Sequence, residues 1–127
     1  MDIIALEQEL TAYLADALGL EIDTKLFRGG FPEGTGAGVA VILGNAVKDN
    51  RIDTPMYQLQ ILGKFTDRDT ALRINHAAVH LFPIYGKSIG GHRVNLTIYG
   101  AGNIYRGADD GTIKHFLSVN LMVSVLG

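Results

Sequence analysis

Cysteine and tryptophan are both missing from this 127-residue chain, and proline occurs only three times. Without cysteine there is no disulfide framework and no thiolate chemistry, which fits a reducing cytoplasm. Without tryptophan the core has to be built from aliphatics and a few Phe and Tyr. No basic run occurs and the formal charge is only −2, which argues against a surface for sequence-specific nucleic-acid binding. No stretch reaches the ~18 consecutive apolar residues that a membrane span needs. The opening residues, Met1 to Glu7, are acidic and lack a long apolar run, so no signal peptide is expected.

What the chain does have is hydrophobic residues at 47% of positions, enough for one sizeable core and too short a chain for two domains. A single domain over 1–127 is expected. Its organising stretch runs from Thr54 to Phe82. Tyr57, Leu59, Ile61 and Phe65 alternate with Gln58, Gln60 and Lys64, the two-residue period of a strand with one packed face. At Thr66 the period becomes helical. Thr66 or Asp67 can cap that helix, Asp69 suits its first turn, and no Gly or Pro interrupts before Pro83. Leu72, Ile74, Ala78, Val79, Leu81 and Phe82 form the stripe expected to fold back on the strand.

Around this unit the sequence predicts a first helix over 2–18 ending at Gly19, a short strand over 24–28 and strands over 38–44 and 55–65. The stretch from Gly44 to Asp53 reads as the turn between those two strands. Pro83 to Gly91 reads as a loop, His92 to Tyr99 as a strand, Gly100 to Gly111 as a long loop, and Lys114 to Leu126 as the last strand. The predicted fold is α+β, with a mainly antiparallel sheet of four to five strands and both helices on one face. Leu59, Ile61, Ile74, Ala78, Leu96, Val119 and Leu121 are expected to form one cluster beneath the helices. The polar alternates, among them Ser118, Asn120 and Ser124, would make the other face, open to water or to a partner.

Chemistry-bearing patterns are sparse. His76 and His80 stand one helical turn apart, as in zinc metalloproteases, but Ala77 occupies the position of the catalytic Glu. Two histidines on a solvated or interfacial face is the reading preferred to a metal site. Gly29 to Gly38 could cradle a phosphate, yet no Gly-Lys-Ser/Thr closes it and a strand follows where a phosphate loop requires a helix, so a flexible loop is expected. Asp109-Asp110-Gly111 is a turn signal before it is a cation site. Ser88, Ser118 and Ser124 lie in no nucleophile elbow. No catalytic residue, metal or cofactor is therefore expected, and an enzyme is not.

Leu26 to Pro32, Gly38 to Leu43, Tyr57 to Lys64 running into an alanine-containing helix, and a Gly/Asp-rich loop before the final strand Phe116 to Val123 together resemble the small tail-terminator and minor capsid proteins of long-tailed bacteriophages. The resemblance implies a structural virion protein, assembled in the host cytoplasm and located at the head-proximal end of the tail. Such proteins form a ring, usually a hexamer, that caps the major tail tube protein, ends its polymerisation and presents a surface to a head-completion or connector protein. Another head–tail connector subunit is the alternative. A ring subunit needs different surfaces for its two neighbours. The Gly100–Gly111 stretch, with Tyr105, Arg106, Asp109 and Asp110, carries residue types enriched at interfaces and is expected to meet the adjacent subunit and to be mobile in the isolated chain.

Overall fold

The computed structural model describes residues 2–47 and 56–126. In chain order it contains α1 (Ile3–Leu18), β1 (Leu26–Arg28), β2 (Gly38–Val47), β3 (Met56–Phe65), α2 (Arg68–His80), β4 (Ile84–Ile89), β5 (His92–Ala101), β6 (Tyr105–Asp109) and β7 (Thr112–Leu126). Asp2 caps α1 by accepting from the amides of Ile4 and Ala5, and Gly19, at φ 67°, ends it in the left-handed conformation. Asp67 caps α2, accepting from the Asp69 amide and the Thr70 hydroxyl. Those two bonds, the Thr70 one foremost, hold its carboxyl below the usual carboxylate range. Most of the expected turn over Gly44 to Asp53 lies outside the described residues, and its first part belongs to β2.

The sheet is larger than the sequence suggests. Its strand order is β1-β2-β3-β7-β5-β4, with β6 also paired to β7. Seven strands replace the expected four to five, and the β1–β2 pair is parallel, so the sheet is mixed. Two stretches read as loops account for the excess. Pro83 to Gly91 contains β4, which pairs with β5 across the turn at Gly90 and Gly91. Gly100 to Gly111 contains β6, which continues the line of β5 along β7. The Gly102 amide, donating to the Ser118 carbonyl at 2.9 Å, carries the ladder through the break between them. The β6–β7 turn is two residues long, with Asp110 (φ 49°) and Gly111 (φ 75°) both left-handed, the requirement of a type I′ hairpin.

Leu59 sits opposite Leu121 and Ile61 opposite Val119 in the β3–β7 register, so their side chains share one face. That face and both helices supply a single cluster, with Leu6, Leu10 and Leu14 from α1 and Ala71 and Ala78 from α2. Six of the seven expected core residues are buried in it, and Ile74 packs at its rim. Leu72, placed in the expected stripe, is instead 45% exposed.

The helices divide the work. α2 lies over the central strands β3 and β7, while α1 touches β1 and β2 on one side and β4 on the other. Strands at opposite ends of a sheet reach one helix only if the sheet curls, which is the expected consequence of strand twist. Two glutamates on α1 mark the two ends. Glu7 accepts the Leu43 amide of β2 at 2.9 Å and pairs with Arg28 of β1 at 3.2 Å. Glu9 accepts the Gly91 amide at 3.0 Å and meets His92 Nδ1 at 2.6 Å, gripping the β4–β5 turn. The His92 bond, then the Gly91 amide, keep the Glu9 carboxyl below its ordinary range.

Candidate functional site

On the face of the sheet away from the helices, the Gly29–Gly38 segment is tied down rather than free. Phe31 meets Phe27 edge-on at 6.5 Å between centroids, and the Lys64 ammonium lies 4.7 Å from the Phe31 ring. Lys114, almost fully buried, donates to the Gly36 carbonyl and lies 3.3 Å from Asp109 Oδ2. Lys64 donates to the same oxygen at 3.0 Å. The two ammonium groups, Lys64 first, hold the Asp109 carboxyl below the usual range. The expected flexible loop is thus a cover over one end of the sheet. A cleft of about 340 Å³ lies beside its end, lined by Leu20, Lys25, Ala37, Phe65 and Ile74. Asp67 borders it, but its carboxylate is engaged in capping α2.

These contacts change the part played by each residue expected at an interface. Tyr105 is in a paired strand, opposite Phe116, and its ring stacks on that side chain at 5.3 Å. It remains 59% exposed. Arg106, opposite His115, is also exposed. Asp109 is engaged within the chain, its Oδ2 accepting from Lys64 and Lys114. Asp110 shapes the hairpin turn. Glycine here builds a strand instead of a loop: a Cβ on Gly107 would stand 3.0 Å from the Phe116 ring, so glycine lets that ring lie flat across β6.

An open edge is the feature that the residues alone did not reveal. Among the described residues β4 pairs only with β5, and β6 only with β7. β4 stops at Ile84, opposite Leu96, so among the described residues no strand pairs with the outer side of β5 from Thr97 onward. Along this line stand Tyr85, Tyr99 and Tyr105, exposed by 69%, 53% and 59%. The chain has five tyrosines, and the remaining two, Tyr13 and Tyr57, pack against the core. Unpaired strand edges bind other strands, and exposed tyrosines are enriched where proteins meet.

No constellation for catalysis forms among the described residues. The four histidines do not gather at one point: His76 and His80 stack on each other on α2 at 4.0 Å between centroids, His92 is held by Glu9, and His115 lies on β7. No group of three or more His, Cys, Asp or Glu in metal-binding proximity occurs among the described residues. No helix there is long and apolar enough to cross a membrane.

No protein-family profile matches the chain, and no curated protein matches its sequence. Solved structures do share its fold. One is a chain from the virion of a native gene transfer agent particle, aligned with a TM-score of 0.59 and 17% identity over 100% of both chains. A second solved chain aligns with the same TM-score and identity over 98% of this chain and 92% of its own. The likeness therefore extends over the whole fold.

Proposed function

We propose that this chain is a structural virion subunit that assembles with copies of itself into a ring, usually of six, at the head-proximal end of a phage-type tail. In that position it caps the major tail tube protein, stops its polymerisation and offers a surface to a head-completion or connector protein. The observation that carries the reading is the full-length sharing of fold with a chain of a gene transfer agent virion. The tyrosine-lined open edge supports it, because a closed ring is built by joining unlike surfaces of successive subunits. The sequence pattern from Leu26 to Lys64 and from Phe116 to Val123, which resembles tail terminators, supports the particular position.

The test is to add the purified chain to the tail tube protein encoded beside it while that protein polymerises. Electron microscopy should then show tubes that stop growing and carry a ring at one end. Tubes of unaltered length with bare ends would overturn the capping role. Rings that bind the head connector while leaving tube growth unaltered would instead favour a connector subunit.

A further inference from the structure

We propose that the Gly29–Gly38 segment is a strap latched shut by Lys64, Lys114 and Asp109, and that it opens together with the β6–β7 hairpin. The segment joins β1 to β2. Its ends have the backbone of a hinge: Gly29 and Gly30 stand at φ 82° and 140°, and Gly38 at φ 153°, where other residues are strained. A Cβ on Gly38 would also lie 2.9 Å from the Lys25 carbonyl oxygen. Between the hinges the strap is held at two points. Phe31 lies against Phe27 and Lys64, and the Gly36 carbonyl accepts from the Lys114 ammonium.

Both lysines depend on one oxygen. Asp109 Oδ2 accepts from Lys64 at 3.0 Å and from Lys114 at 3.3 Å, joining β6 to β3 and β7. With the Asp109 charge removed, two ammonium groups would face each other, and the Lys114 side chain is only 7% exposed. An uncompensated buried charge is costly, so Lys114 would turn toward water and release Gly36. Asp109 is the last residue of β6, and Tyr105 and Arg106 open the same strand. A partner that shifts β6 would therefore pull on the latch. That consequence rests on the assembly proposed above, whereas the latch belongs to the isolated chain and is tested there.

Glu33 is exposed within the strap, so cleavage of the Glu33–Gly34 bond in the full chain by a glutamyl endopeptidase reads its opening. The parent should resist cleavage relative to a free peptide of residues 29–38. Asp109→Asn should be cut about tenfold faster or more, since cleavage follows the open population and a charge-assisted bond has been lost. Asp110→Asn, which keeps a residue suited to its left-handed turn, should match the parent. Hydrogen exchange tests the reverse direction. Phe31→Ala, which loosens the strap, should speed exchange of the β6–β7 ladder amides and leave those of β3 and β7 near Leu59 and Leu121 unchanged. Cleavage of the parent at the rate of the free peptide overturns the proposal, as does an Asp109→Asn rate equal to the parent's or an equal acceleration by Asp110→Asn. A β6–β7 ladder indifferent to Phe31→Ala overturns the joint opening. Should Asp109→Asn fail to fold, the parent's resistance and the Phe31→Ala exchange decide.

Discussion

Along the β1–β2 edge much of the outward-facing backbone is occupied: on the outer side of β1 Leu26 donates to the Glu21 carbonyl and accepts from the Asp23 amide, and past the end of β1 Leu43 of β2 donates to the carboxylate of Glu7. Along the opposite edge β4, the end of β5 and β6 have no strand beyond them among the described residues, and each of these strands carries one exposed tyrosine. Proteins usually blunt exposed edges with short strands, charges or covering segments. Here all three devices appear on one side: a three-residue β1, Arg28 with Glu7, and the turn before Leu26, whose Asp23 amide is already engaged in donating to the Leu26 carbonyl. A fold that closes one edge so thoroughly and leaves the other long and aromatic distinguishes a finished boundary from a reserved one. In the assembly we propose, self-association would act at the open edge.

α1 is the element common to both sides, so its removal from the core gives the largest expected effect. Leu10, on the same helix as the two glutamates that reach the edges, is fully buried. Leu10→Ala should cost about 2–5 kcal/mol, through lost burial and the cavity left behind, read as a lower denaturant midpoint. It should also speed hydrogen exchange at both the Leu43 and the Gly91 amides, which end on α1 carboxylates. Acceleration at only one of them would mean that the helix does not couple the two edges.

A smaller effect, confined to the open side, is expected from Glu9. Its folded-state carboxyl is depressed below the ordinary value of 4.5 by His92 and the Gly91 amide. A depressed carboxylate contributes stability that is fully present above the unfolded-state value and is lost as pH falls through the folded-state one. The contribution should therefore be constant from pH 7 down to about 5 and vanish in more acidic solution. With a quarter of its side chain exposed, Glu9 is expected to add about 1 kcal/mol at neutral pH. Glu9→Gln should lower the midpoint at pH 7 and flatten its fall below pH 4.5. Parallel acid profiles for the two proteins would remove Glu9 from the account of how the β4–β5 turn is held.

The sequence made the centre of this molecule legible and its margins obscure, for a physical reason. Leu59 and Ile61 alternate with polar residues because one sheet face is packed, and Asp67 caps α2 through neighbours two and three residues away. Both signals are local. The margins are set by contacts across long separations: Glu7 reaches Leu43 over 36 positions, and Glu9 reaches Gly91 over 82. β4 and β6 were hidden for a different reason. Gly86 and Gly107 look like loop residues, yet Gly86 donates its amide to the Asn95 side chain within a bulged ladder and Gly107 lies under Phe116. Of the expected interface residues, Tyr105 and Arg106 fall on the open edge. Asp109 is engaged within the chain by the lysines at 64 and 114, which nothing in its turn-like context announces.

The smallest effect on the fold, and the one that tests the reserved edge directly, is expected at Tyr105 and Arg106. Both side chains are exposed, and the stack of Tyr105 on Phe116 is the main packing that a double alanine variant would remove. Such a surface stack is worth about 0.5–1.5 kcal/mol, while the β6–β7 ladder itself is made by backbone and stays in place. The isolated chain should therefore melt close to the parent. Its association should weaken far more, because truncating an aromatic and an arginine removes the residue types that dominate binding energy at interfaces. Sedimentation of parent and variant at matched concentration and salt separates the two expectations. The same pair of experiments on Arg28→Ala, at the plugged edge, supplies the contrast: there the ion pair with Glu7 is broken and association should be unchanged. If Arg28→Ala disperses the rings and the Tyr105/Arg106 variant does not, the roles of the two edges are the reverse of those assigned to them.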